Sequence, residues 1–294
     1  MRIDAHTHIW RAVTAPQAAT IVSGQCDVTV ELLRAYLDEH QIDRAVLVQP
    51  VYPGTDNSYV ANSAAADSGR LASVCVVDPR RPDAADQLRY WVTERGCRGL
   101  RMRPRVADEA AAFGHAATWP LWEAARELGA VVSVLAGPEH LPTIGTLAER
   151  FAPVNIVLDH FAHPRLAEPA PEIAGLLALA RLQNVHIKTS GHYYFSDEPY
   201  PYHDCRRLVT AVFDAFGPDR LLWGSDFPHV LLKSGYARSL RLVGSAPKGQ
   251  IATAAHDAAK SDASVDLFCG RLSAADRDKI LGRNAARLYW PAER

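Results

Sequence analysis

The stretch Ile3-Asp4-Ala5-His6-Thr7-His8-Ile9 reads as a strand. Successive strand side chains point to opposite faces, so residues two apart share one. Asp4, His6 and His8 are therefore expected on one side, and Ile3, Ala5, Thr7 and Ile9 on the other. The apolar second face argues for burial, and two buried imidazoles need partners. Neutral imidazole nitrogen is a common protein ligand for zinc-like ions, so two on one face can converge on one metal.

Working outward, short apolar runs alternate with longer amphipathic ones. The runs 2–9, 44–49, 71–77, 99–103, 130–135, 155–160, 185–190 and 220–226 read as eight strands. They are rich in Val, Ile and Leu without clean alternation, as strands buried on both faces are. Helical patterns fill 30–40, 57–68, 84–94, 119–128, 141–152, 171–182, 204–216 and 274–289. Each is long enough to cross between parallel strands. Thr118 and Ser273 read as N-caps, Gly129 and Gly217 as stops.

Eight such units in 294 residues predict an α/β fold, a distorted (β/α)8 TIM barrel forming one domain over 1–294. A doubly wound open sheet is the alternative, but it calls for a glycine-rich turn after the first strand, where His6-Thr7-His8 stands. The polar, small-residue segment 243–270 is long for a connection. It reads as an insertion between the last strand and the last helix at the barrel mouth, with a short helix near 253–260.

A formal net charge of -1, with both signs interspersed, offers no field to recruit nucleic acid or an anionic membrane. Five cysteines at 26, 75, 97, 205 and 269 form no C-x-x-C pair, which reads as reduced thiols in a cytoplasmic protein. No signal-peptide core follows Met1, and no apolar run is long enough to span a bilayer. G-x-S-x-G, P-loop and G-x-G-x-x-G motifs are missing, which removes serine hydrolases, NTPases and nucleotide oxidoreductases as first readings.

Barrel chemistry sits at the carboxyl ends of the strands. Those ends carry His6 and His8, then Gln49 to Asn57, Arg101 and Arg103, Asp159 to Pro164, Lys188 to His192, and Trp223 to His229. His6, His8, His160 and Asp226 make an N3O set suited to zinc, manganese or iron(II). Such an ion lowers the pKa of bound water and polarises a carbonyl, and Asp226 can serve as ligand and general base. Arg101 and Arg103 share a strand face and can clamp a carboxylate, or turn outward into ion pairs. Asn57 can touch substrate or cap its helix. Lys188 can be carbamylated to bridge two metals, or sit in an ion pair inside the barrel.

These motifs resemble the amidohydrolase superfamily, in the amidohydrolase-related branch that holds 2-pyrone-4,6-dicarboxylate lactonase and related sugar and muconolactone lactonases. The matching pieces are Asp4-Ala5-His6-Thr7-His8-Ile9-Trp10, Val48-Gln49-Pro50 with Gly54-Thr55-Asp56-Asn57, Gly99-Leu100-Arg101, Leu158-Asp159-His160-Phe161, Lys188-Thr189-Ser190-Gly191, Leu222-Trp223-Gly224-Ser225-Asp226-Phe227-Pro228-His229 and the closing Ile280-Leu281-Gly282-Arg283-Asn284-Ala285-Ala286-Arg287-Leu288-Tyr289. The resemblance implies a barrel, hydrolysis, a core of His6, His8, His160 and Asp226, and an arginine clamp at Arg101. Some members of the family hold one divalent metal, while the pyrone lactonases use the aspartate on water without one.

The chain also departs from that pattern. His163 stands where the pyrone lactonases carry an arginine, and His229 follows Asp226 as in much of the wider branch. His192 belongs to no branch-wide pattern. These residues point to a different or less anionic substrate.

The expectation is a hydrolase opening a small carboxylated lactone or cyclic ester, with one divalent metal, zinc or manganese, or without metal. Asp226, His160 and His192 are its candidate catalytic groups. Arg101, Arg103, Tyr52, Asn57, His163 and His229 are its candidate substrate contacts, and a homodimer is allowed. A zinc-dependent decarboxylase of an unsaturated acid, with His192 or His203 as base, is the second reading. A non-catalytic anion-binding barrel is the third.

Overall fold

The computed structural model describes residues 1–11, 26–51, 54–166, 171–244 and 265–291. Eight strands lie side by side in sequence order: β1 (Ile3–Thr7), β2 (Arg44–Val48), β3 (Leu71–Cys75), β4 (Gly99–Met102), β5 (Val131–Val134), β6 (Ile156–Leu158), β7 (Val185–Thr189) and β8 (Leu221–Trp223). Each ladder between consecutive strands is parallel. The helices are α1 (Val30–Glu39), α2 (Ser58–Ala65), α3 (Ala84–Arg89), α4 (Ala107–Ala110), α5 (Trp119–Leu128), α6 (Leu141–Arg150), α7 (Pro171–Ala178), α8 (Arg206–Phe216), α9 (Tyr236–Arg241), α10 (Ala274–Asp278) and α11 (Asn284–Tyr289). This is the (β/α)8 barrel that the sequence predicts. The short α4 and α9 are additions that periodicity misses. The helical runs expected at 84–94 and 274–289 each pass through a π turn, at Tyr90–Glu94 and Lys279–Arg283.

Local chemistry sets several helix ends. Thr29 caps α1 by accepting from Leu32 N at 3.2 Å. Ser273 caps α10 as expected, accepting from Asp276 N at 3.1 Å, and Gly129 ends α5 in the left-handed region. Thr118 does not cap: its hydroxyl donates to His115 O at 2.8 Å, and the 3-10 turn Ala116–Thr118 leads into α5.

Alternation splits the core into two layers. Ala45 and Leu47 of β2 pack under the helices, while Val46 and Val48 join Ile3, Ala72, Val74, Val131, Val157 and Leu222 inside the barrel. α11 adds Leu288 and Tyr289 to the inner layer.

β1 breaks the simple alternation. Ile3 pairs with Arg44 and Asp4 with Ala45, but Thr7 pairs with Leu47. One extra residue of β1 is therefore bulged between Asp4 and Thr7. Asp4 consequently faces the helix layer, and the face expected to hold Asp4, His6 and His8 together holds the two histidines without it. Asp4 instead clamps the seam between β8 and β1 from outside, accepting from Ser225 N at 2.8 Å, His6 N at 3.2 Å and the Tyr236 hydroxyl at 2.7 Å. Burial pushes its pKa up to about 6. Past the strand ends the seam is closed by His8 N donating to Phe227 O at 2.7 Å and Asp226 N to His6 O at 2.9 Å. Tyr52 and 245–264, with the expected short helix, lie outside the described residues.

Candidate active site

His160 and Asp226 do not lie on strands, although the pattern places both there. β6 stops at Leu158, and His160, Phe161, Ala162 and His163 follow with φ of 52, 55, 59 and 50°. Asp226 has φ of 63°. Left-handed backbone at a non-glycine residue costs on the order of 1–3 kcal/mol and survives where the surroundings enforce it. Here the turns carry His160 and Asp226 back over the barrel mouth. Two glycines make room for the histidines. A Cβ on Gly224 would lie 2.8 Å from His6 Cβ, and one on Gly191 would lie 2.6 Å from His160 Nδ1.

Four side chains converge. His6 Nε2 and His8 Nε2 are 3.1 Å apart. Asp226 Oδ1 lies 3.4 Å from His8 Nε2, 3.6 Å from His6 Nε2 and 3.8 Å from His160 Nε2. His8 Nδ1 sits 2.7 Å from Val48 O, a pure acceptor, so Nδ1 carries the proton and Nε2 presents a lone pair. His160 Nδ1 is 2.9 Å from Ser190 Oγ. Burial pulls the His6 pKa well below its usual value, with Lys188 adding to the effect, and pulls His160 down to about 4. Burial alone would raise Asp226, but its polar surroundings, His160 first, outweigh it and hold the carboxyl well below the usual range. Neutral rings at His6 and His160 thus face an ionised carboxylate.

Asp226 Oδ1 is fully buried and has no hydrogen-bond partner. An unpaired buried carboxylate oxygen costs several kcal/mol unless a cation or donor completes it. Three imidazole nitrogens and one carboxylate oxygen fit a divalent ion of the zinc type. The ligand atoms of His6, His160 and Asp226 all fall within 4.8 Å of one another, as do those of His8, Asp226 and His229.

A charged network backs the cluster. Lys188 Nζ reaches His6 Nδ1 at 2.9 Å, Ser133 Oγ at 2.9 Å and Asp159 Oδ1 at 3.0 Å. Asp159 Oδ2 accepts from Arg101 Nε and Nη2, both at 3.2 Å. Burial would raise Asp159, yet Lys188, His6 and Arg101 hold it well below the usual carboxylate range. Lys188 is thus an ion-pair partner inside the barrel, the simpler of its two readings. Its partner Asp159 orients His6 from behind, as carboxylates behind ligating histidines do.

A cavity of about 400 Å³ opens above these groups, lined by His8, Trp10, Pro50, Val51, Arg101, Arg105, Leu135, His160, His163, Tyr194, Asp226 and His229. A larger groove of about 710 Å³ runs between α6 and α7, but its arginines are already paired, Arg165 with Glu172 and Arg181 with Glu149.

The structure brings Arg101, His163 and His229 to the site cavity. Arg103 is not among the lining residues, because its guanidinium is spent on Glu109 and on Val51 O. Asn57 neither lines the cavity nor caps α2. Its amide donates to Val76 O at 2.8 Å and accepts from Val76 N at 2.7 Å, tying the loop to the end of β3. His192 lies behind the wall, its ring 5.4 Å from Phe161 and stacked on Tyr202. Residue-level reading missed Arg105, Tyr193 and Tyr194. Both tyrosine hydroxyls donate to Asp226 Oδ2, at 2.6 and 2.7 Å. Their position just past the end of β7 was the available signal.

The chain matches the amidohydrolase family model over residues 3–290. It is 30% identical to L-fucono-1,5-lactonase of Burkholderia multivorans, covering 98% of this chain and 96% of that protein. It is 27% identical to 2-pyrone-4,6-dicarboxylate hydrolase of Comamonas testosteroni, over 99% and 90% of the two chains. A solved amidohydrolase from Burkholderia multivorans with bound zinc superposes with a TM-score of 0.76 at 27% identity, covering 99% of each chain. By its sequence, its barrel and its relatives, the chain belongs to the amidohydrolase family and is a hydrolase within it.

Proposed function

We propose that this hydrolase opens a small lactone bearing a carboxylate, with Asp226 as the base that takes a proton from the attacking water. The observation that carries the reading is Asp226 Oδ1: ionised, buried, unpaired, and facing three imidazole nitrogens at a cavity. His6, His8, His160 and Asp226 would hold one divalent ion, zinc by analogy with the zinc-bound relative. Such an ion supplies polarisation of the ester carbonyl and acidification of water. Trp10, Val51 and Leu135 give the ring an apolar wall.

Arg101 has its charge offset by Asp159, whereas Arg105 at the rim pairs with no carboxylate among the described residues. Arg105 is therefore the group to meet a substrate carboxylate, with His163 and His229 beside the ring. Relatives named as lactonases support ring esters as the substrate class. Decarboxylation needs a free base at the site, and neither His192 nor His203 lines the cavity. Five free thiols suit a reducing, cytoplasmic setting.

The test is elemental analysis of the purified protein, followed by a pH-indicator screen of neutral, monocarboxylated and dicarboxylated lactones. Turnover is expected for monocarboxylated rings. A protein that releases CO2 from unsaturated acids and leaves every lactone intact would overturn the proposal.

A further inference from the structure

The two oxygens of Asp226 have different surroundings. Oδ1 points at the three imidazole nitrogens, between 3.4 and 3.8 Å away. Oδ2 is covered by two phenol hydroxyls, Tyr193 at 2.6 Å and Tyr194 at 2.7 Å. The two tyrosines differ in one respect. Tyr194 is 45% exposed and lines the cavity, its ring 5.2 Å from His160 and 5.4 Å from His163. Tyr193 is half-buried and is not among the lining residues of that cavity. His163, the neighbouring candidate, spends its Nδ1 proton on Ala136 O at 3.1 Å, which leaves Nε2 of the neutral ring without one to give.

We infer that Tyr194 is the proton donor to the ring oxygen as the lactone opens, and that Tyr193 is a positioning residue that fixes the Asp226 carboxylate. The inference rests on the hydrolytic reading above. The atoms balance as follows. Water oxygen bonds to the acyl carbon, and its proton goes to Asp226 Oδ1. The acyl carbon–ring oxygen bond breaks, and its electron pair leaves on the ring oxygen. The Tyr194 hydroxyl proton moves to that oxygen, the exposed Tyr194 oxygen regains a proton from solvent, and Asp226 Oδ1 releases its own proton to solvent as the product leaves. Carboxylate and phenol are regenerated, and one water has been added to the ring ester. A phenol held on a carboxylate and open to the cavity suits this reversal, because the same oxygen that donates also accepts.

The leaving oxygen decides the test. Tyr194→Phe and Tyr193→Phe are compared with wild type on two six-membered lactones that each bear one carboxylate, a carboxylated δ-valerolactone, which expels an alkoxide, and a carboxylated dihydrocoumarin, which expels a phenoxide. An alkoxide needs a proton as it leaves, and a phenoxide far less. Tyr194→Phe is expected to lose about 10²–10³ in kcat on the first ring and under about tenfold on the second. Tyr193→Phe should lower both by one modest factor. Urea unfolding of each variant confirms that it folds. Equal losses for Tyr194→Phe on the two rings would overturn the donor role while leaving lactone hydrolysis standing. A wild type inert on both rings and on every lactone of the screen would overturn the hydrolytic reading, and the donor role with it.

Discussion

Gly224→Ala probes how the last strand positions the first. The new Cβ would lie 2.8 Å from His6 Cβ, 3.0 Å from His6 N and 3.4 Å from His6 Cα. These atoms belong to the backbone and the stem of His6, so no flexible tip can swing away. Restoring an ordinary contact near 3.4 Å pushes the His6 segment back by about 0.6 Å, an overpacking that costs about 1–3 kcal/mol of stability. His6 Nε2 works within 3.1 Å of His8 Nε2 and 3.6 Å of Asp226 Oδ1. Ligand sets tolerate displacements of about 0.2 Å, and a misplacement near 1 Å costs about 10² in rate. A fall in kcat/KM of about 10–100-fold is therefore expected on the best lactone of the screen.

Gly99→Ala is the matched control. Its Cβ would meet Val131 O at 2.5 Å, also backbone, but at the start of β4, away from the catalytic ends of the strands. It should destabilise in urea unfolding without losing kcat/KM once folded. Gly224→Ala enzyme that keeps kcat/KM within about twofold of wild type, or two variants with equal losses of activity, would refute the positioning argument.

Asp226→Asn keeps the shape and removes the base. It should lower kcat by about 10²–10⁴ while the urea midpoint shows a folded protein, and wild-type-like turnover would take Asp226 out of the mechanism. His192 gives a pH signature of stability rather than activity. Burial holds its pKa at about 3 against an ordinary 6.5, so the native ring stays neutral while the unfolded chain binds a proton. Its contribution is full above pH 6.5 and declines as the pH falls toward 3, by about 2 kcal/mol at pH 5. His192→Phe, which preserves the stacking on Tyr202, should remove that part of the slope, and urea midpoints between pH 5 and 8 measure it; an unchanged slope would show that His192 is not the group involved.

Much of this protein was legible in its sequence. The count of strand and helix patterns depends on local periodicity and burial, which a chain carries wherever it folds, and it specified the barrel. The paired histidines and the Trp-Gly-Ser-Asp turn likewise marked the strand ends where chemistry gathers. What lay out of reach was direction. The bulge in β1 turns Asp4 outward, and it is visible only in the pairing with β2. The left-handed turns that lift His160 and Asp226 off their strands are enforced by neighbours from other parts of the chain. Which arginine is free was also a tertiary matter: Asp159 takes the charge of Arg101 and Glu109 that of Arg103, which leaves Arg105 at the rim. Tyr193 and Tyr194 follow a strand end like many loop residues, and only the closure of the barrel brings them onto Asp226, 33 and 32 positions away. Spacing along a chain fixes which residues share a strand; partners contributed from distant segments decide which way each side chain points and whether its charge is already spent.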